Sequence, residues 1–240
     1  MSFLKERRKF RFLSADNSGA LVYDTAMAGP WTLEEWSLSA PEKQTNYVQI
    51  PGRDGMLDLY EGLTDGEPHY KPRTLTIRLT CSERDRKARI ALVDDIVNTL
   101  DGFAFRIIFP DDPTRYMRGV CTVKVEYNDL NHCGVVIEAL CDPWRVALSP
   151  VVITVEASAT AQSLILRNRG RRRVVPYFEG YGGASADMPE ITITSGLFTA
   201  TIEDAGGYAP EELALGYNRS RELTYSGTGL LLIKWEEAIL

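Results

Sequence analysis

The chain is poor in the residues that carry most enzymatic and metal chemistry. It has two histidines, His69 and His132, and four cysteines among 240 residues. No two cysteines stand in a C-x-x-C spacing, and so few thiols in so long a chain do not make a disulfide scaffold. His132 and Cys133 are adjacent, so on a strand their side chains diverge to opposite faces and do not share a metal. Cys81, Cys121, Cys133 and Cys141 are therefore expected to be reduced and packed as small hydrophobes. Long apolar runs are missing as well. The stretch 230–233 near the end is only four residues long, where a bilayer-spanning helix needs ~18. The charged start, 1–9, has no apolar segment behind it, so no signal peptide is expected.

The motifs of catalysis are absent too. There is no G-x-S-x-G elbow, no phosphate loop, no G-x-G-x-x-G and no H-E-x-x-H. The acidic pairs Glu34-Glu35, Glu211-Glu212 and Glu236-Glu237 are sequence neighbours, which diverge on strands or loops. Glycosidase carboxylates must instead face one another across ~5–9.5 Å. No catalytic residue, cofactor site or metal site is expected, and the protein is expected not to be an enzyme.

What is present is an ordinary globular composition, 44% apolar and 25% charged, with a net charge of −6. Residues 1–145 carry 19 basic and 22 acidic side chains and the remainder 8 and 11, so each part is −3 and neither is a basic nucleic-acid module. Alternating apolar and polar residues predict strands at 74–79, 103–109, 120–127 and 135–140, with a turn at 128–131. Further strands are predicted at 151–155, 164–166, 191–194 and 198–202, then a hairpin pairing 223–225 with 230–235 across Ser226-Gly227-Thr228-Gly229. One helix is predicted over 83–100. Ser82 and Asp85 resemble a capping box, Ile90, Val93, Val97 and Leu100 form an apolar stripe with Ile96 beside it, and Gly102 is the stop. Asp94 and Asp95 lie off that stripe and read as a solvated face. A domain boundary is expected near Cys141-Asp142-Pro143-Trp144, because proline stops the preceding strand.

Two basic clusters interrupt the acidic background. Lys5, Arg7, Arg8, Lys9 and Arg11 crowd the start, and Arg167, Arg169, Arg171, Arg172 and Arg173 crowd the second part. On an acidic protein without a recognition-helix signature, both are read as surfaces for acidic protein partners. Asn218-Arg219-Ser220 matches a glycosylation sequon and is taken as chance.

The most unusual stretch is Val48-Gln49-Ile50-Pro51-Gly52-Arg53-Asp54-Gly55-Met56-Leu57-Asp58-Leu59, continuing through Tyr70 and Arg73. It resembles the PGRDG-x-LDL signature of the distal tail (Dit) family of long-tailed, siphovirus-type bacteriophages. Trp36 to Leu38, Asp101-Gly102, Tyr116 with Arg118-Gly119, and Asp142-Pro143-Trp144 resemble further features of that family. The Arg-Gly order is reversed here, and Trp144 replaces the usual tyrosine. In the second part Asn168-Arg169-Gly170, Pro176, Leu215-Gly216-Tyr217-Asn218 and Gly227-Thr228-Gly229 are similar to the family's later motifs, while Lys234-Trp235-Glu236 departs from them.

The resemblance implies a mainly β (α+β) protein: a tail-tube-like, ring-forming β domain over 1–145, with one helix and a β-arm or belt, then a galectin-like β-sandwich over 146–240. It implies a structural virion protein at the distal tip of the tail, a homohexameric hub joining the tail tube protein to the tail-associated lysin or tail-fibre protein and to the receptor-binding protein. Genomic DNA would pass through its lumen without specific binding, and no membrane is involved. The belt reaching a neighbouring subunit is expected to comprise Pro51, Gly52, Arg53, Asp54, Gly55, Leu57, Leu59, Tyr70 and Arg73, with Arg53 and Asp54 at its turn. The alternative is a host-carbohydrate-binding tail protein that stacks sugar on Trp235, Tyr217 and Tyr225. Core packing is the preferred reading of those aromatics.

Overall fold

The computed structural model describes residues 9–16, 18–27, 29–52, 54–59, 68–127, 133–182, 189–203 and 207–240. The chain divides into two compact units, Met1–Arg145 and Val146–Leu240. Strands dominate both.

In the first unit the elements follow the chain as β1 (Arg11–Ser14), β2 (Leu21–Asp24), β3 (Trp31–Leu38), β4 (Tyr47–Gln49), β5 (Met56–Asp58), β6 (Arg73–Cys81), α1 (Arg86–Leu100), β7 (Ala104–Ile108), β8 (Arg115–Tyr127) and β9 (Cys133–Cys141). The main sheet runs β2-β1-β7-β8-β9-β6-β3, and every neighbouring pair is antiparallel. Period-2 alternation decides which face is buried. On β6, Leu75, Ile77, Leu79 and Cys81 point inward, beside Val135, Ile137, Ala139 and Cys141 of β9. Phe10, Phe12, Ile107 and Met117 complete the same core, which α1 caps with Val93, Ile96 and Leu100.

The helix differs from the expectation in two ways. It begins at Arg86 and not at residue 83, because Asp85 is the cap and accepts the Lys87 N–H at 3.1 Å. Ser82 therefore lies outside the helix. The buried stripe is Arg89, Val93, Ile96 and Leu100, which leaves Ile90 42% exposed. Arg89 takes the inward position because its guanidinium donates to the Glu83 carbonyl at 2.7 Å, so its charged head is satisfied while its stem packs. Gly102, with φ +79°, follows the helix as expected. The strand expected from residue 120 begins earlier, at Arg115. The turn expected at 128–131 lies outside the described residues.

After β10 (Arg145–Ala147) the second unit comprises β11 (Val151–Ala157), β12 (Gln162–Arg167), β13 (Tyr177–Tyr181), β14 (Glu190–Ser195), β15 (Phe198–Ile202), β16 (Gly207–Tyr208), a short 3-10 turn at Glu211–Leu213, β17 (Ser220–Trp235) and β18 (Ala238–Ile239). The hairpin expected over 223–235 is not there. Its two arms are one continuous strand, β17. The first half of β17 pairs β12 on one side and β14 on the other, and its second half pairs β11 and β13. Gly227 and Gly229, with φ of +130° and +115°, supply the bend by which a strand leaves one set of partners for another. Leu223, Tyr225, Leu231, Ile233 and Trp235 keep one face inward throughout and form the core with Leu166, Phe178, Ile191 and Ile193. The composition of the turn suggested reversal, but Gly227 lies inside the strand with no room for a side chain. A Cβ there would collide with the Glu190 carbonyl oxygen.

Candidate assembly surfaces

The unusual stretch of the sequence forms a β-arm. Beyond β3 the ladder with β6 continues outward: the Ser39 N–H donates to the Thr74 carbonyl at 2.9 Å, Lys71 N–H to Glu42 O at 2.9 Å, and Gln44 N–H to His69 O at 2.7 Å. The arm then changes partner. β4 pairs β5 as a two-stranded sheet of its own, with Tyr47 opposite Asp58, Val48 opposite Leu57 and Gln49 opposite Met56. Gly52 and Gly55, at φ +79° and +81°, make the turn between them, a conformation that disfavours any side chain.

Asp58 anchors the base of this hairpin. It is buried, accepts the Asn46 N–H at 3.2 Å and lies 3.7 Å from the Lys43 ammonium. The tip is different. Tyr47 and Met56 are 57% and 67% exposed, and Val48 and Ile50 are exposed as well. Two strands with this much apolar surface in water gain little stability on their own.

The sequence-predicted belt residues thus fall in two places. Pro51, Gly52, Asp54, Gly55 and Leu57 belong to the hairpin, and Leu59 follows it, its N–H donating to Asn46 O at 2.9 Å. Tyr70 and Arg73 sit at the root. Tyr70 bridges to Lys43 and meets Trp144 edge-on at 5.3 Å, while Arg73 opens β6 and donates from Nε to the Ser39 carbonyl at 2.7 Å. Burial, and secondarily the Arg145 charge, lower the proton affinity of Arg73. Arg53 and residues 60–67 of the arm lie outside the described residues, as do Lys5, Arg7 and Arg8 of the N-terminal cluster.

The second basic cluster gains members in the fold. Pairing of β12 with β17 sets Leu166 opposite Arg221 and Arg167 opposite Ser220, and Asn168 N–H donates to the Arg219 carbonyl at 3.1 Å. Arg219 and Arg221 therefore join the 167–173 segment at one end of the unit. Sequence reasoning missed them because only strand register makes them neighbours. The segment hangs on Asn168, which is fully buried. Its amide donates to the carbonyls of Arg172, Leu215 and Gly216 at 2.7, 3.1 and 3.2 Å, and its oxygen accepts the Gly170 N–H at 2.9 Å.

The remaining candidates do not gather into a reactive site. Asp94 and Asp95 are exposed on α1, and Glu34, Glu35, Glu211 and Glu212 are exposed too. Among the described residues, no group of three or more His, Cys, Asp or Glu side chains could hold a metal. All four cysteines are free and buried, as the sequence suggested; burial pushes the Cys121 and Cys141 thiols up to about 12. Of the three aromatics considered for sugar stacking, Trp235 and Tyr225 are buried in the core, as the preferred reading expected, whereas Tyr217 is 51% exposed and is not a core residue.

Comparison with known proteins agrees with this architecture. Residues 30–136 match the family described as the phage tail protein RIFT-related domain. The matched segment contains the arm. The crystal structure of the Dit (gp 19.1) protein of phage SPP1, described as a paradigm of the hub adsorption apparatus of phages infecting Gram-positive bacteria, is similar at a TM-score of 0.62 and 12% identity, over 95% of this chain and 98% of that one. A baseplate protein of phage P2, in its activated conformation with Ca, is similar at 0.45 and 7% identity, over 95% and 97%. No curated protein matches. The likeness to siphophage distal tail proteins, and the mainly β fold it implied, are borne out.

Proposed function

We propose that this protein is the distal tail hub of a long-tailed phage, a structural and non-enzymatic part of the virion that forms a homohexameric ring at the tail tip. The observation that carries the proposal is the match of residues 30–136 to a phage tail domain family, in a segment whose arm forms a two-stranded sheet of its own. Supporting it, β2 and β3 end the sheet with different surfaces. Leu21 and Val22 are exposed on β2, whereas β3 presents Thr32, Glu34 and Glu35. A closed ring needs two unlike patches on each subunit. The arm is the belt: its exposed Tyr47, Val48, Ile50 and Met56 are covered only when it lies on the next subunit, and its backbone extends that subunit's sheet. Tyr70 and Arg73 fix its root.

In this reading the first unit is the tail-tube-like domain and meets the tail tube protein. The second is the galectin-like sandwich and meets the tail-associated lysin or fibre protein and the receptor-binding protein. DNA crosses the lumen without specific contact. Substituting Val48→Ser, Ile50→Ser and Met56→Ser together tests the belt. The variant is expected to keep its circular dichroism and to lose incorporation into tails. Normal incorporation would refute the belt, and a tail-tip reconstruction with other than six copies would refute the ring.

A further inference from the structure

All seven arginines of residues 146–240 lie within 167–173 and 219–221, the two segments that β12 and β17 bring together. The only lysine of this part, Lys234, is elsewhere, paired with Glu179 at 3.2 Å. Concentrating like charge costs free energy through mutual repulsion. The fold adds a second cost by holding the segment rigid. Besides the four bonds of Asn168, Arg171 N–H donates to Ala238 O at 2.7 Å, Arg169 N–H to Glu237 Oε1 at 2.9 Å, and Val174 and Leu215 exchange bonds of 3.0 and 2.8 Å. Gly170 packs so closely that a Cβ would lie 2.8 Å from the Ala238 backbone.

The side chains on this frame divide into two sets. Arg173 is paired with Glu211 at 2.9 Å, Arg221 donates to the Glu212 carbonyl, and Arg167 donates to Asn218 Oδ1 at 3.4 Å. Arg169, Arg171, Arg172 and Arg219 are exposed and have no ion pair or side-chain hydrogen bond with any described residue. We infer that these four guanidinium groups form a preorganised docking site for a carboxylate-rich segment of another protein.

Two features select that partner over a phosphate polymer or nucleic acid. The site is built wholly from arginine, whose planar fork matches discrete carboxylates in bidentate geometry. It is also fringed by exposed Glu211, which pairs with Arg173, and Glu212, whose carbonyl accepts from Arg221; these acids weaken the local field and repel a uniformly charged polyanion, but leave room for carboxylates placed one by one on the forks. Because the frame is already rigid, binding loses little loop entropy.

The test is fluorescence anisotropy of a labelled peptide whose glutamates are spaced by glycines, measured on the full chain, with polyphosphate of equal charge as competitor. The comparison variant is Arg169→Lys, Arg171→Lys and Arg172→Lys combined, which keeps the charge, leaves the backbone bonds in place and removes the forks. The expected result is salt-sensitive peptide binding that falls at least about tenfold in the lysine variant, with polyphosphate the weaker ligand. Equal binding by both proteins, or no binding to either, would overturn the inference. Tighter binding of polyphosphate would overturn it too, reassigning the surface to phosphate polymers.

Discussion

Trp36 of β3 meets Phe10, the residue that leads into β1, edge-on at a centroid distance of 5.7 Å, although β1 and β3 lie towards opposite ends of the main sheet. Phe109 completes the contact, 5.5 Å from Phe10 and 5.6 Å from Trp36. The sheet is therefore curled upon itself, and aromatic packing brings its ends together where no ladder bond joins β2 to β3 among the described residues. Edge-to-face pairs add about 0.5–1.5 kcal/mol each beyond area burial.

Phe10 is fully buried between these partners. Phe10→Ala is expected to destabilise the protein by about 3–5 kcal/mol, the range for deleting a buried aromatic ring. Trp36→Phe keeps a ring in the contact and should lose clearly less. Urea unfolding followed by circular dichroism measures both, and a loss below about 1 kcal/mol for Phe10→Ala would mean that the curl does not depend on this trio.

The bend in β17 makes a sharper claim about single atoms. Gly229→Ala would place a Cβ 2.6 Å from the Tyr181 carbonyl oxygen, and Gly227→Ala would strike the Glu190 carbonyl. Both replacements must push a neighbouring backbone aside, so each is expected to lose more than about 2 kcal/mol. Gly196, at φ +63° with nothing within 4 Å, is the control. There alanine should lose only about 1 kcal/mol, from backbone preference alone.

These particulars show what was legible beforehand. The strands β6, β9 and β15 were readable because one face of each is buried, and the alternation of Leu75, Ile77 and Leu79 reports that directly. The fate of Gly227 and Gly229 was not, since the same two glycines permit a reversal or a bend, and only the crowding of β13 and β14 decides between them. The helix stripe shifted by one position because Arg89 found a carbonyl partner, a contact no periodicity contains. The arm was visible through its Pro-Gly and Asp-Gly turn. The arginine site was half visible: the run 167–173 stands out in the chain, but Arg219 and Arg221 arrive through register.

Asn168 carries no charge, yet the arginine segment hangs on its hydrogen bonds. Asn168→Ala leaves the Leu215 carbonyl without its side-chain donor and frees the arginine segment. Removing a partner from buried polar groups costs about 1–3 kcal/mol. The thermal midpoint should fall, and binding of the spaced glutamate peptide should weaken even at temperatures where the fold persists, because the forks are no longer held. Unchanged binding with lowered stability would separate the frame from the docking site.

The thiols give a pH-dependent prediction. Cys121 and Cys141 are raised to about 12, first by burial, with the Cys141 and Asp101 charges adding at Cys121 and the Asp142 charge at Cys141. Their neutral forms are thus favoured in the folded chain relative to the unfolded one, where a thiol titrates near ~8.5. The stability they contribute is complete below that value and is lost progressively as pH rises from there towards about 12, since the unfolded chain releases protons that the folded one retains. Two outcomes follow from the same burial. At pH 8 a thiol-specific disulfide reagent should label none of the four cysteines in the native protein and all four after denaturation. Replacing Cys121 and Cys141 with alanine should then flatten the fall in stability above ~8.5, while packing losses displace the whole curve downward. Rapid labelling of the native protein at neutral pH, or an unaltered alkaline slope in the double variant, would show that these thiols are not sealed in the core of the sheet.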